Sequence, residues 1–384
     1  MTISSQLLYD VQPGPFAAAF RDWISRNESR LAPLFVPQPD YDRRVESARA
    51  LRRLLWDEGW GRVGWPAAYG GLDGTLVHRA VVYEELYRAG WTGPTIFEHV
   101  EIIAPTLVHY GRPEFVAGVL PGFVDGSSAW AQGFSEPEAG SDLASLRTRA
   151  VRDGDDFVVN GGKIWTTWAK YADWCLALVR TGTAEERHRG LTMIAIDLRS
   201  PGVTVRPIRQ ANGMEELAEV TFVDVRVPAG NLVGEVGRGW RVAMYLLARE
   251  RGTLSWLRHC GMRARLARAL KTMPDDTDRQ VGELALQIAG VRAAAATLLR
   301  RAGEGEELGP EAAFNKLLMT RTEQNLYNLL RDVEGFRMAL PDGDADQLLL
   351  QQDYLFSRIV TVYGGSQQMQ LITVAKHILG LADA

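Results

Sequence analysis

The chain has 384 residues, 46% of them hydrophobic and 23% charged, which suits two or three packed domains and excludes a disordered polymer. Its formal net charge is -4, with acidic and basic residues interleaved, so no basic field points to nucleic acid or an anionic membrane. The start, "MTISSQLLYD", is no basic-then-apolar leader, and no run of about 20 apolar residues is found, which predicts a cytoplasmic protein without membrane insertion.

From Phe16 to about Gly126 apolar residues recur at helical spacing, as in "ESARALRRLLWDEGW" and "RAVVYEELYRAG". Turn clusters such as "GWPAAYGG", Gly64 to Gly71, punctuate them. The texture changes near Trp130. "DDFVVNGGKIWTTW" carries two β-rich runs around Asn160-Gly161, which predicts a hairpin there. "DWCLALVRT", "LTMIAIDL", "GVTVRPI" and "EVTFVDVRVP" follow as short strands, and together they predict an antiparallel sandwich or barrel of about 100 residues. After Val236 helix returns in two long periodic segments, which predict a bundle of antiparallel helices. The chain thus reads as α+β, with a helical domain over 1–128, a β-barrel over 129–235 and a helical bundle over 236–384.

Familiar motifs fail. "GEVGRGW" has its glycines in the wrong order for a dinucleotide fingerprint, and "GFSEP" lacks the second glycine of a nucleophile elbow. Cys175 and Cys260 form no CxxC pair and the histidines show no HExxH spacing, so no metal site is expected and the cysteines read as packing residues.

Two stretches carry more. Strand alternation puts Lys163, Trp165 and Thr167 on one face, so Trp165 offers a flat plate and Thr167 a hydroxyl beside it. A flat heteroaromatic ligand with polar edges, such as a flavin, suits that pair; a sheet face packed on helices suits it too. "AQGFSEPEAGSDLASLRT" packs Ser135, Glu136, Gly140, Ser141 and Asp142 into a compact loop before a helix-like "LASLR", where Ser141 or Asp142 could cap and backbone N–H groups could meet a phosphate or ring carbonyl.

On the first bundle helix, Ala243, Leu247, Glu250, Leu254 and Leu257 fall at spacings of 3 and 4 and share one stripe. A lone carboxylate on an apolar face must be paired, protonated or functional. The residues leave an internal ion pair and a catalytic base both open.

"GFSEPEAGSDLASLRT", the later "NGGKIWTTW", and "VTFVDVRVPAGNLVGEVGRGW" together resemble the acyl-CoA dehydrogenase flavoprotein family. The likeness extends from "GWPAAYGG" to "SRIVTVYGGSQQMQLITVAKHILGL" and so covers nearly the whole chain. It implies a helical domain, a β-barrel and a C-terminal four-helix bundle holding FAD. It further implies that Gln132, Phe134 and Ser135 line the flavin, that Ser141 lies near cofactor or substrate, and that Trp165 packs on the ring. Thr167 would bond near N5, and Gly365, Ser366 and Gln368 would meet the cofactor from the last helix region.

The reaction so implied is α,β-dehydrogenation of an acyl thioester, on coenzyme A or an acyl carrier protein, with a carboxylate taking the α-proton and the β-hydride passing to flavin N5. Many relatives carry that carboxylate in a Tyr-Glu-Gly-Thr motif; here Tyr363-Gly364-Gly365-Ser366 stands instead, and Gly364 can take no proton. Relatives of the isovaleryl and long-chain types place the base in a Glu-Arg pair on the first bundle helix, which matches Glu250 and Arg251. The resemblance then makes Glu250 the base and gives Arg251 a place at the substrate. Gly364, and Gly252 after the pair, would leave room for a branched, cyclic or otherwise bulky acyl group.

The family's Arg-x-x-Phe-Gly segment, which reaches a neighbouring subunit's cofactor, is replaced by "MPDDTDRQVGELALQIAG". Such departures occur in relatives built from two different subunits, so a homo-oligomer and a hetero-oligomer with a related subunit are both expected forms. An electron-transfer flavoprotein is the implied electron acceptor. Two other readings share these residues: a flavin oxidase or monooxygenase on the same fold, and a non-catalytic partner subunit.

Overall fold

The structure is a computed structural model that describes residues 13–93, 96–271, 273, 277–340 and 343–381. The "MTISSQLLYD" segment and residues 274–276 of "MPDDTD" lie outside the described residues. The chain forms two compact units: one takes the residues up to Glu98 and from Ala248 onward, the other takes His99–Leu247.

The first unit is helical. Its N-terminal part holds α1 (Pro13–Arg26), α2 (Glu28–Phe35), α3 (Tyr41–Asp57) and α4 (Leu76–Arg88). Side-chain caps fix the helix starts: Asp40 accepts from the Arg43 amide, and Thr75 and His78 close a capping box on α4. Between α3 and α4 the "GWPAAYGG" cluster turns at Gly64 and Gly70, both at positive φ. Arg79 locks that turn, donating to the Gly64 carbonyl at 2.7 Å and lying 4.0 Å above the Trp65 ring.

The bundle continues through α7 (Gly239–Ala269), α8 (Asp278–Gly303), α9 (Glu311–Glu334), the short α10 (Phe336–Ala339), α11 (Ala345–Phe356) and α12 (Gln367–His377). The start of α7, through Leu247, belongs to the second unit. Leu254, Met262, Leu284, Ile288, Val291, Met319 and Leu326 form its core. Each such side chain stabilises by about 1.5–3 kcal/mol relative to exposure. The stretch Arg279–Gly303 of α8 is long and apolar enough to cross a membrane by composition. Here it seats Leu284, Ile288 and Val291 in the bundle core, while Arg292 reaches Glu84 of α4 at 3.5 Å.

The second unit holds α6 (Pro113–Asp125), most of α5 (Ile96–Tyr110), and a seven-stranded sheet. The strands are β1 (Trp130–Gly133), β2 (Arg149–Asp153), β3 (Asp156–Thr167), β4 (Trp174–Arg180), β5 (Leu191–Asp197), β6 (Val203–Ile208) and β7 (Leu217–Pro228). Their order is β1-β4-β2-β3-β7-β6, with β5 on β4. The sheet is mixed rather than wholly antiparallel, because β4 inserts between β1 and β2 and runs parallel to β1. Val159, Cys175, Ala177, Val179, Ile194, Ile196, Val220 and Phe222 fill its core. Cys175 and Cys260 are both free and buried, as packing residues should be, and burial pushes the Cys175 thiol up to about 12.

Two local expectations give way. The hairpin turn falls at Gly154-Asp155, between the paired Asp153 and Asp156, not at Asn160-Gly161. β3 runs on through Asn160 with a register shift, and Gly161 has φ +138°. A Cβ there would stand 2.7 Å from Thr148 Cα, so this glycine serves close backbone approach, not a turn. The second is "LASLR", which forms only a 3-10 turn at Leu143–Ser145, without a side-chain cap. Asp142 instead accepts from Arg187 at 2.5 Å, and buried Leu146 draws the chain out into extended backbone.

Candidate active site

The bundle unit gathers its unusual polar groups around a two-glycine turn before α12. Gly364 and Gly365 have φ of +63° and +90°, a conformation side chains resist. Ser366 ends the turn as the N-cap of α12, accepting from the Met369 amide at 3.3 Å. The turn is also crowded. A Cβ on Gly364 would meet Glu250 Oε1 at 2.6 Å and Lys316 Nζ at 3.4 Å. One on Gly365 would meet Arg251 Nη2 at 3.3 Å and overlap the Gln370 amide. Side chains from α7, α9 and α12 therefore converge on a place where only glycine fits.

Glu250 is 8% exposed, on the stripe with buried Ala243, Leu254 and Leu257. Its carboxylate takes the space a Gly364 side chain would use, so that space is not left open as pocket volume, contrary to expectation. Gly252 leaves no room either: its missing side chain admits Leu308 Cδ1, 2.8 Å from where a Cβ would be. Arg251 is half-buried and its Nε donates to the Gly364 carbonyl at 3.4 Å; burial pushes its pKa down while Glu250 pulls it up.

Lys316 is 2% exposed, and its ammonium lies 3.8 Å from the centre of the Tyr363 ring. Its Nζ makes no hydrogen bond among the described residues. Burial pushes its pKa down to about 8, against the upward pull of Glu250 and Glu323. Burial likewise raises the Tyr363 phenol well above its ordinary value, so it stays neutral. Glu323 is bound to Arg258 close by.

In the sheet unit the loop after β1 is fastened to β3. The Ser135 carbonyl accepts from the Ile164 amide at 2.9 Å, and Lys163 Nζ donates to the Phe134 carbonyl at 3.2 Å. Lys163 is wholly buried and bonds Glu136 at 2.7 Å; Glu136 also accepts from the Arg147 and Thr148 amides. That arrangement fastens Phe134 and Ser135 to Lys163 and Ile164, the two residues before Trp165. Gln132 stands half-buried on β1.

Simple alternation fails at Trp165. The register shifts between Lys163 and Thr166, and Trp165 adopts φ +58°. Lys163 and Thr166 are buried, while Trp165 is 56% exposed and Thr167 half-buried. A bulky residue in the left-handed region is strained, and strain of that kind is kept where a site needs it. An indole turned outward, with a hydroxyl two residues on, fits a flat ring with polar edges. Ser141 is exposed in the loop pinned by Arg187 and Asp142. In the bundle unit Gln368 is exposed and the Ser366 hydroxyl is engaged as a cap.

Sequence reasoning missed Lys316, Gln370 and the Lys163–Glu136 pair. The rule that found Glu250 could have found Lys316. It lies among Ala312, Ala313, Met319 and Thr320, all buried, on a helix otherwise seated in the core.

Family models for the acyl-CoA dehydrogenase N-terminal, middle and C-terminal domains match residues 28–127, 131–225 and 237–379. The chain is 37% identical over 380 residues to acyl-CoA dehydrogenase IpdE1 of Mycobacterium tuberculosis, covering 95% of this chain and 97% of that protein. The chain belongs to the acyl-CoA dehydrogenase family. Among solved structures, the Tcur3481-Tcur3483 steroid ACAD superposes with a TM-score of 0.82 at 27% identity, over 97% of this chain and 98% of that one. The ChsE4-ChsE5 complex from Mycobacterium tuberculosis gives 0.80 at 27% identity over the whole of both chains. The acyl-CoA dehydrogenase fold, in its order of helices, sheet and bundle, is thus the one expected from sequence. FAD is the cofactor of acyl-CoA dehydrogenases, and this chain is an oxidoreductase of that type acting on acyl thioesters.

Proposed function

We propose that the protein dehydrogenates an acyl thioester between Cα and Cβ, with Glu250 as the base that removes the α-proton. The observation that carries this reading is the buried Glu250 carboxylate lodged against Gly364, where no side chain stands. The carboxylate stands on α7, and the turn it meets has no side chain that would clash with it.

FAD, when bound, supplies the acceptor for the β-hydrogen and its electron pair. Gln132, Phe134, Ser135, Trp165, Thr167, Gly365, Ser366 and Gln368 are the residues this reading assigns to holding it. Ser141, Arg251 and Gly364 would meet the substrate. The α-proton of a thioester is weakly acidic, so Glu250 must be held in place and kept from bulk water; a positioned base contributes about 10²–10⁴-fold. The α-proton passes to a Glu250 oxygen, and the electron pair it leaves becomes the new double bond. Glu250 lies among Leu254 and Leu257, which keep bulk water from it.

The named solved relatives include a steroid ACAD and a two-component complex, which favours a bulky acyl group and a related partner subunit. Coenzyme A or a carrier protein would present the thioester, and an electron-transfer flavoprotein would take the electrons onward. The test is anaerobic flavin bleaching by a panel of acyl thioesters with wild type and Glu250→Gln. The variant is expected to stay yellow and fail to bleach; equal bleaching rates would place the base elsewhere.

A further inference from the structure

We propose that Lys316 is a positioning residue for this reaction: its ammonium holds the Glu250 carboxylate ionised and in place, without meeting the substrate itself. The proposal rests on the reading of Glu250 as the base.

Glu250 Oε1 and Lys316 Nζ lie 2.6 and 3.4 Å from one point, the place of a Gly364 Cβ. The two are therefore within about 6 Å of each other, the range in which an opposite charge favours ionisation. Lys316 Nζ is shut off from solvent and hydrogen-bonds to nothing among the described residues. A side chain so enclosed cannot grip a substrate group, so its influence must pass through its neighbours.

Among the described residues, these charged and aromatic groups act on Lys316 most strongly, with Glu98 acting on Arg258 and Tyr363 beside it. From α7 come Glu250, Arg251 and Arg258; from α9 itself comes Glu323; from the segment before α12 comes the Tyr363 ring. Arg258 is bound to Glu323, and Arg251 turns to the Gly364 carbonyl. The Tyr363 phenol is neutral and offers its ring face. Lys316 thus lies near Glu250 at the glycine, with its ammonium 3.8 Å from the centre of the Tyr363 ring.

The chemistry needs such a partner. Burial alone drives a carboxylate toward its protonated form, and a protonated acid accepts no α-proton. Lys316, with a pKa of about 8, is a cation at neutral pH. An opposite charge at that distance favours the carboxylate form, the form that can accept the α-proton. A buried ammonium without a hydrogen bond is costly for a fold, and this use accounts for its presence.

The test uses the FAD-loaded protein as wild type, Lys316→Met, Lys316→Gln, Lys316→Arg and Glu250→Gln. Two quantities are followed against pH: the rate of anaerobic flavin reduction by an acyl thioester, and the infrared carboxylic-acid band that disappears in Glu250→Gln. In Lys316→Met and Lys316→Gln the acid limb of the rate and the band midpoint are expected to move together to higher pH, by about one unit or more. Lys316→Arg, which keeps the charge, should return both toward wild type. If Lys316→Met does not fold, the Gln and Arg variants carry the comparison. A uniform fall in rate, with limb and midpoint unmoved, would overturn the proposal and leave Lys316 a packing residue. Continued bleaching by Glu250→Gln would instead sink the base assignment, and this proposal with it.

Discussion

Lys163 of the sheet unit and Lys316 of the bundle unit are the same side chain sunk equally deep, yet they are built in differently. Lys163 bonds Glu136 at 2.7 Å and the Phe134 carbonyl at 3.2 Å, so its charge is used up in tying a loop to β3. Arg180 follows the same pattern, donating to the carbonyls of Ala144, Leu146 and Thr183 at 2.7 to 2.9 Å. Lys316 has no such bonds among the described residues and faces a carboxylate across a missing side chain. A buried charge with its hydrogen bonds filled is scaffold; one left to act over a short distance is available for chemistry.

The largest effect should come from breaking the scaffold pair. Lys163→Met strands a buried Glu136 and is expected to cost about 3–5 kcal/mol in urea unfolding, with loss of flavin. A cost under about 1 kcal/mol would mean the pair behaves like a surface ion pair. Next comes the acid side of the bundle unit. His259 is fully buried, and burial pushes its pKa down to about 4. The unfolded chain takes up that proton near pH 6.5 while the folded one resists. Stability is therefore intact above about 6.5 and falls as pH drops toward 4, by up to about 3 kcal/mol. His259→Gln should flatten the stability–pH curve across that window.

Gly364→Ala sharpens the comparison from the other direction. It puts a methyl group 2.6 Å from Glu250 Oε1 in a left-handed turn, at about 1–2 kcal/mol of strain. Flavin reduction should slow at least tenfold, far more than the small loss in melting temperature explains. Smallest in stability is Trp165→Ala. Because Trp165 is mostly exposed, the apoprotein should melt within about 0.5 kcal/mol of wild type, typical of surface sites, while retention of FAD through dialysis drops.

The order of helices, sheet and bundle was legible because hydrophobic period alone decides it over long segments. The burial of Glu250 was legible for the same reason: one acid in a stripe with Ala243, Leu254 and Leu257 lies on the core face, where an internal ion pair and a base are both possible. Asn160-Gly161 misled because the same dipeptide serves a turn or a bulge, and what decides is Thr148, just before β2, pressing on Gly161. The outward tilt of Trp165 was hidden because a positive φ in mid-strand breaks the two-residue period without leaving a mark in composition. The meeting of Glu250, Lys316 and Gly364 joins positions far apart in sequence, and only the packing of α7, α9 and the turn before α12 brings them together.

The base assignment can be isolated from the rest of the reaction with an acyl thioester whose β-carbon carries no hydrogen, incubated with the FAD-loaded protein in heavy water. Mass spectrometry then reads deuterium at the α-carbon. Wild type should exchange the α-protons, and Glu250→Gln, still yellow, should exchange none above the buffer rate. Exchange at the wild-type rate in the variant would show that another group takes the proton.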